Sequence, residues 1–357
     1  MNALIMDTNF EVVCVLDDYE SFIWSDRYNA YGDMEIYAPV EAVFYQFIKD
    51  GYYVWCSESE HLMIVDEIEI DTDVESGNHL TVKGRSLESI LERRIIWEQT
   101  VLDGNFQNGI KKLLTDNIIS PAIAARKIPN FIFKESTDER ITTLNVQAQF
   151  TGDNLYDSIK ALCEANNVGF KITLNDNFQF VFELYIGTDR SYEQTTVPYV
   201  IFSSGFDNII NSNYYESKKD MKNVALVGGE GEGAERRYTT VNGNGGDDTT
   251  SGLDRRELFV DARDISSKVD DKTLTDEEYA AQLKERGADK LSEVTPVANF
   301  EGEVDATQLY VYGRDFFIGD IVEVANEYGK EGRSRVSEVM YTDDTSGISI
   351  VPTFTTV

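Results

Sequence analysis

The sequence predicts a mainly β protein with α+β insertions, and three observations carry that reading. Residues 47–84 hold β-branched and aromatic runs such as Tyr52-Tyr53-Val54-Trp55, Leu62-Met63-Ile64-Val65 and Leu80-Thr81-Val82, bounded by Gly, Asp, Asn and Ser. Antiparallel strands and their turns are written this way. A second stretch near the C-terminus repeats the order of parts: Phe316-Phe317-Ile318-Gly319, a short strand through Val324, Arg335-Val336-Ser337-Glu338-Val339, an acidic Asp343-Asp344-Thr345-Ser346-Gly347 turn and a closing Ile348-Ser349-Ile350-Val351 strand. In both, an aromatic residue and a Gly precede a short strand, and the next strand carries Glu beside apolar residues (Asp66-Glu67-Ile68, Ser337-Glu338-Val339). The order fits an internal duplication, and it also fits two unrelated meanders. Third, helical period is concentrated in the middle of the chain and in one late insertion.

Taken in order, Ala3-Leu4-Ile5-Met6 and Phe10-Glu11-Val12-Val13-Cys14-Val15 read as a hairpin across Asp7-Thr8-Asn9. Ser21-Phe22-Ile23-Trp24 continues the sheet. In residues 33–39, Met34, Ile36 and Ala38 alternate with Asp33, Glu35 and Tyr37, the period of a half-buried strand. A short helix is expected over 40–48, and the meander is expected to open as a strand at Phe47, completing a first β domain over 1–97. In an α+β domain over 98–196, Phe106, Ile110, Leu113, Leu114 and Ile118 share a helical face, as do Leu155, Ile159, Leu162 and Cys163 behind a cap at Asp153 or Asn154. Residues 128–133 and 141–150 read as strands. Phe170, Ile172 and Leu174 alternate into an Asn175-Asp176-Asn177 turn, and Phe178, Phe180, Phe182 and Leu184 alternate back as a hairpin. A second β domain spans 197–357. It holds strands up to Val227, a Gly-rich loop expected to be mobile over 228–252, a strand from Arg255, and a helical insertion within 265–297. There Thr275-x-x-Glu278 forms a capping box ahead of a stripe of Tyr279, Leu283, Gly287, Lys290 and Leu291.

The 357 residues are enough for two or three domains with their own cores, so neither a metal nor a disulfide is required. The 64 acidic residues against 32 basic ones leave a formal charge of -32. Such a field repels phosphates and anionic lipids and argues against nucleic-acid binding. An acidic wall would let a polyanion pass without sticking, although plain solubility also accounts for the charge. Cys14, Cys56 and Cys163 are odd in number and widely spaced without a Cys-x-x-Cys, so buried thiols are expected rather than a disulfide framework or zinc knuckle. The N-terminus lacks a basic region followed by a long apolar run, and nowhere do ~18 apolar residues run together, so neither a leader nor a membrane span is expected.

Gly229-Glu230-Gly231-Glu232-Gly233-Ala234 follows a strand and has the G-x-G-x-x-A form of a dinucleotide fingerprint. A working copy opens a helix onto the pyrophosphate. Here two Glu stand where phosphates would lie, so no cofactor is expected. His61 and His79 are the only histidines; they could face each other across the meander, but without a third ligand they make a poor metal site. No Gly-x-Ser-x-Gly elbow occurs. Asp71-Thr72-Asp73-Val74-Glu75 and Asp343-Asp344 lack EF-hand spacing and read as solvated turns. No catalytic, cofactor or metal residues are expected.

Five further segments carry a resemblance. They are Ser25-Asp26-Arg27-Tyr28-Asn29-Ala30-Tyr31-Gly32-Asp33-Met34-Glu35-Ile36-Tyr37-Ala38-Pro39, Gly84-Arg85-Ser86-Leu87-Glu88-Ser89-Ile90-Leu91-Glu92-Arg93-Arg94-Ile95-Ile96-Trp97, Lys222-Asn223-Val224-Ala225-Leu226-Val227-Gly228-Gly229-Glu230-Gly231-Glu232-Gly233, Leu253-Asp254-Arg255-Arg256-Glu257-Leu258-Phe259-Val260-Asp261-Ala262-Arg263-Asp264 and Tyr312-Gly313-Arg314-Asp315-Phe316-Phe317-Ile318-Gly319-Asp320. In this order, over nearly the whole chain, they resemble the tail-hub proteins of long-tailed bacteriophages, related in fold to the baseplate hub of contractile phages and injection machines. The resemblance implies a homotrimeric ring at the virion tail tip, each subunit offering two tube-like β-barrel domains plus peripheral α+β domains. Six barrels then continue a sixfold tail tube into a threefold tip and surround the DNA exit path.

Implied partners are further copies of the chain, a distal tail protein or tail tube above, and tip, fibre or receptor-binding proteins below. DNA passes without specific binding during genome ejection, and assembly takes place in the bacterial host cytoplasm. Many relatives carry a long C-terminal fibre, peptidase or wall hydrolase; with Val357 following the second meander directly, that part is expected to be absent or on another protein. A structural, non-enzymatic role is expected. The alternatives are a tail-tip cell-wall hydrolase and a carbohydrate-binding adhesin for host attachment, the latter opposed by the core-facing spacing of most aromatics.

Overall fold

Met34, Ile36 and Ala38 are buried on the strand Asp33–Pro39 while Asp33, Glu35 and Tyr37 stay partly exposed, so the period-two signal sets which face meets the core. The computed structural model describes residues 1–73, 77–206, 208–269, 272–304, 309–326, 328 and 331–357. Its main feature is one 13-stranded sheet. Eleven strands follow one path: Ile209–Ser217, Val297–Val304, Gly347–Thr356, Glu331–Asp344, Ser21–Arg27, Asp33–Pro39, Gly77–Ser86, Leu62–Asp73, Tyr53–Cys56, Ala3–Met6 and Val12–Leu16. Ile321–Ala325 pairs beside Glu331–Asp344, and Ile201–Ser203 pairs beside Ile321–Ala325.

The two end segments, expected as separate β domains over 1–97 and 197–357, share a single core. Phe22, Trp24, Ile36, Val65, Leu80 and Val82 from the first meet Phe202, Val322, Val339, Tyr341 and Phe354 from the second. The cause is antiparallel pairing of Ser21–Arg27 with the outer half of Glu331–Asp344, unbroken from Glu338 opposite Arg27 to Asp344 opposite Ser21. Among the described residues the strand path has two ends, and no barrel closes within the chain.

The middle segment builds a second core. Phe106, Ile110, Leu113, Leu114 and Ile118 are all buried, and the helix Phe106–Leu114 is capped by Asn105, whose side chain accepts the Asn108 N–H at 3.0 Å. Asn154, rather than Asp153, caps Leu155–Ala165 by accepting the Tyr156 N–H at 2.9 Å. Asp153 instead accepts the Thr151 N–H at 2.9 Å in the preceding turn. Gly169–Leu174 and Phe180–Tyr185 form the expected hairpin, with Phe178 in the left-handed region at the turn (φ 55°).

Three strand expectations are corrected. Phe47 and Ile48 do not open a strand: both donate their N–H to the Phe44 carbonyl at the end of the 3-10 turn Val43–Gln46, and the strand begins at Tyr53. Ile141 lies in a helical turn, Glu139–Thr142, capped by Asp138, which leaves Asn145–Phe150 as the strand. The strand expected over 128–133 lies at Phe131–Lys134, because the Ile128 N–H is taken by the Ile118 carbonyl.

Residues 222–294 carry a third, small core. Val224–Gly228, Tyr238–Asn242 and Glu257–Asp261 form a sheet under the helix Asp276–Ser292. The stretch expected as a mobile Gly-rich loop over 228–252 therefore contains a strand. Its β-branched Thr239, Thr240 and Val241 pair with Val227, Leu226 and Ala225. The Arg236 guanidinium fixes its start, donating to the Gly228 and Gly229 carbonyls at 2.8 and 3.1 Å. The capping box of Thr275 and Glu278 forms, and Tyr279, Leu283, Gly287 and Leu291 are buried. Gly287 is required by close approach, since a Cβ there would lie 2.6 Å from Val227. Lys290, expected on that stripe, is exposed and paired with Glu293 at 2.7 Å. Asp289 takes a buried position next to it, and burial, together with Glu285, pushes its carboxyl up to about 7.

Candidate assembly interface

Gly51 and Gly319 adopt positive φ (77° and 88°) at the head of the two meanders. The Gly51 N–H donates to the Val65 carbonyl at 2.9 Å and the Gly319 N–H to the Val336 carbonyl at 2.8 Å. The return bonds run from Val65 N–H to Tyr52 and from Val336 N–H to Asp320, at 2.8 and 2.9 Å. One residue later each long strand bulges, at Asp66 and at Ser337. Beyond the bulges, seven pairs carry each hairpin to its turn, ending with Asp73 opposite Gly77 and Asp344 opposite Gly347.

Strand order repeats as well. Ser21–Arg27, Asp33–Pro39, Gly77–Ser86, Leu62–Asp73, Tyr53–Cys56 and Ala3–Met6 are neighbours in that order. So are Ile209–Ser217, Val297–Val304, Gly347–Thr356, Glu331–Asp344, Ile321–Ala325 and Ile201–Ser203. Only the last pairing differs, antiparallel in the first set and parallel in the second. The two ends of the chain are thus two copies of one strand plan, fused along a seam.

On the core side of that seam Trp24 lies opposite Tyr341 and Asp26 opposite Val339, all four buried. The Trp24 ring meets Phe22 edge-on at 6.0 Å, and the Tyr341 hydroxyl donates to the Glu58 carbonyl at 3.0 Å. On the open side Arg27 ties the copies together by pairing with Glu338 of the second and, at 2.8 Å, with Asp33 of the first. At the outer end the Asp343 carboxylate accepts the Tyr19 hydroxyl at 2.8 Å and pairs with the N-terminal amine.

A buried polar cluster joins this seam to the middle segment. Asp26 accepts from Trp24 Nε1 at 2.9 Å and from Ser59 Oγ at 2.7 Å. His61 Nδ1 lies 3.1 Å from Glu88 Oε1, and Glu88 also accepts the Ile172 N–H at 2.6 Å and the Ser86 hydroxyl. Burial alone would lower the imidazole, but Glu88 and Asp26 reverse it and His61 is pushed up to about 9. Burial likewise works against ionised Glu88, but the facing His61 imidazolium, the Ser86 hydroxyl and the Ile172 N–H hold it below the usual carboxylate range. Burial raises Asp26.

A folded-state imidazole held above its ordinary 6.5 stabilises the protein fully below pH 6.5, and that contribution is lost as pH rises through about 9. Urea denaturation across this window should therefore show stability falling with pH by about 3 kcal/mol. His61→Gln should remove most of that slope.

The open face of the nearby strands Asp33–Pro39 and Leu62–Asp73 is rich in acidic side chains, with Arg27, Lys83 and Arg85 among them. Glu35, Glu67, Glu69 and Asp71 project from it, and Lys83 reaches Glu35 at 3.4 Å.

The remaining sequence candidates do not converge. His61 and His79 do not face each other: His61 is buried against Glu88, whereas His79 stacks on Tyr37 at 4.8 Å. Residues 229–234 turn through Gly231 (φ 100°) into a short 3-10 turn rather than opening a helix, and the Glu230 N–H is taken by the Tyr279 hydroxyl at 2.7 Å. Asp71, Thr72 and Asp73 are the last residues of the strand Leu62–Asp73, with Val74 and Glu75 outside the described residues. Asp344 accepts the Ser346 N–H at 2.7 Å. Among the described residues no three His, Cys, Asp or Glu side chains are grouped to hold a metal, and no helix is long and apolar enough to cross a membrane. Cys56 and Cys163 are buried free thiols and Cys14 is half-buried.

Comparison with known proteins places this architecture. The chain is similar over nearly its full length to a prophage MuSo2 43 kDa tail protein from Shewanella oneidensis, at 13% identity and a TM-score of 0.57, covering 100% of this chain and 98% of that one. A tail protein from Neisseria meningitidis MC58 matches at 12% identity and a TM-score of 0.57, covering 99% and 96%. The prophage tail protein gp18 from Listeria monocytogenes EGD-e matches at 12% and 0.53, covering 99% and 94%. These likenesses establish a shared fold. No curated protein sequence matches the chain. The family model for the siphovirus ReqiPepy6 Gp37-like protein matches residues 2–354. With that match over nearly the whole chain, the chain belongs to the siphovirus ReqiPepy6 Gp37-like protein family.

Proposed function

We propose that the protein is the structural hub of a phage tail: three copies form a ring that joins a sixfold tail tube to a threefold tip and surrounds the DNA exit path. The seam between Ser21–Arg27 and residues 338–344 carries this reading. It makes one chain contribute two successive copies of a single strand plan, so three chains present six, and each copy supplies one tube-like sheet. The barrels implied by the resemblance are then a property of the ring, completed between chains rather than within one.

The open acidic face, with Glu35, Glu67, Glu69 and Asp71, would line the passage and repel the polyanion inside it. A distal tail protein or tube would dock above, and tip or receptor-binding proteins below. The role is architectural and not catalytic, in keeping with a buried His61 committed to Glu88 and a His79 stacked on Tyr37.

Mass measurement in solution followed by electron imaging tests the proposal. A three-chain particle with a central hole is expected. A solid particle, or a ring of any other number, overturns it. Incubation with purified cell walls should release no fragments.

A further inference from the structure

Within the chain, the outer edge of residues 338–344 is covered by Ser21–Arg27. The same edge in the other copy, residues 67–73 of Leu62–Asp73, has no strand against it among the described residues. Its one flanking strand on that side, Tyr53–Cys56, reaches only Ile64. The counterpart of Ser21–Arg27 is Ile209–Ser217, the last strand of the sheet path. A chain with two copies of the plan makes one seam and leaves the two halves of a second seam at separate places.

We propose that residues 67–73 pair antiparallel with residues 211–217 of a second copy of this chain, reproducing the internal seam between subunits. This rests on the ring proposed above and names the contact that closes it.

The register follows from the repeat. Gly84 and Phe354 face the residues before the two bulges, Val65 and Val336. One position further, Arg85 pairs with Asp33, which pairs with Ser25; Thr355 pairs with Asn299, which pairs with Tyr215. Ser25 and Tyr215 are therefore equivalent, as are Met340 and Glu69 by their distance from the bulge. Since Met340 lies opposite Ser25, Glu69 is set opposite Tyr215 of the partner subunit, Ile70 opposite Tyr214 of the partner subunit, and Ile68 opposite Glu216 of the partner subunit.

Side-chain burial points the same way. Val339 and Tyr341, at the core positions of the internal seam, are 0% and 2% exposed; their equivalents Ile68 and Ile70 are 36% and 45% exposed. Both isoleucines lie on the core face, opposite the fully buried Val82 and Leu80. A covering strand is what they lack. Trp24 of the internal seam has its equivalent in Tyr214, which packs on the same core. Asp26, opposite Val339, has its equivalent in Glu216, opposite Ile68.

Charge selects the partner edge. Pairing residues 67–73 with their own copy would set Glu69 against Asp71, like charges directly opposite each other. Residues 211–217 present Asn213, Tyr215 and Ser217 to that face instead and are followed by Lys218 and Lys219. The contact is heterologous, head to tail, and such contacts generate closed rings when the rotation allows. It also disposes of an exposed strand edge that is otherwise a site for uncontrolled pairing.

Cysteine cross-linking of the full chain tests the pairing. Residues directly opposite in antiparallel strands lie within disulfide reach, so oxidised Glu69→Cys/Tyr215→Cys should run on denaturing gels as covalent two- and three-chain species. Either single variant, and the wrong-face pair Glu69→Cys/Tyr214→Cys, should not. Ile68→Lys/Ile70→Lys, at exposed positions that leave the chain folded, should lose the three-chain particle. A three-chain particle whose Glu69→Cys/Tyr215→Cys variant gives no cross-link, and which persists in the double-lysine variant, overturns this pairing while leaving the ring intact. A wild type that stays a single chain at every concentration overturns both.

Discussion

Trp24→Ala is expected to destabilise the protein by about 3–5 kcal/mol, measured as a shift in the chemical denaturation midpoint. Trp24 is fully buried where the two copies join, opposite Tyr341 and edge-on to Phe22. Alanine removes the indole from a site whose neighbours come from strands more than three hundred residues apart in sequence, so relaxation of either copy alone does not fill the gap. It also takes the indole N–H from the buried Asp26 carboxyl, which keeps Ser59 as its remaining side-chain donor. Trp24→Phe separates the two losses, because it restores most of the volume but not the donor. A cost of about 1–3 kcal/mol is expected for it, the usual penalty for a buried acceptor losing a partner. If the two variants are equally destabilised, the N–H and not the packing holds the seam.

The likeness of the two meanders could be read from the sequence, without deciding between duplication and coincidence, because its marks are local. A glycine at positive φ, an aromatic ahead of it and a bulge beside Glu67 or Glu338 each leave a residue pattern within a few positions. A cap at Asp153 or Asn154, the alternating Phe170–Leu184 hairpin and the Thr275–Glu278 capping box were readable for the same reason. The seam itself was not, since nothing near Ser21 records that its strand pairs with Asp344. Two meanders with separate cores and two meanders sharing one have the same local sequence.

Phe47 and Ile141 were misplaced because an apolar residue closing a helical turn is written like one opening a strand. The polar composition of residues 228–252 hid a strand whose apolar partners lie elsewhere. The buried cluster of Asp26, His61 and Glu88 was missed altogether, although Glu88 did leave a trace. It stands in Ser86-Leu87-Glu88-Ser89-Ile90-Leu91, where the 3-10 turn Leu87–Arg93 buries every residue from Leu87 to Leu91.

Glu88→Ala should be the most damaging single change in the link between sheet and middle segment, with an expected loss of about 3–5 kcal/mol at pH 6.5 or below. The carboxylate has no exposed surface and serves three groups: the imidazole of His61, the Ser86 hydroxyl and the Ile172 N–H of the Gly169–Leu174 strand. Removing it leaves a buried imidazolium without its main counter-charge and orphans a backbone donor on the far side of the junction.

The pH dependence distinguishes this account from a simple cavity. In wild type the pair's contribution disappears as His61 loses its proton near pH 9, so the gap between wild type and Glu88→Ala should narrow as pH rises through that value. A packing defect would keep the gap constant. Glu88→Gln keeps an acceptor for the Ile172 N–H but lacks the charge, so it should cost less than alanine and still flatten the slope above pH 6.5. Combined with His61→Gln it should cost less than the two single changes added, because contacting residues are energetically coupled. Strict additivity would show that Glu88 acts through its backbone bond alone and that the imidazolium is not its partner.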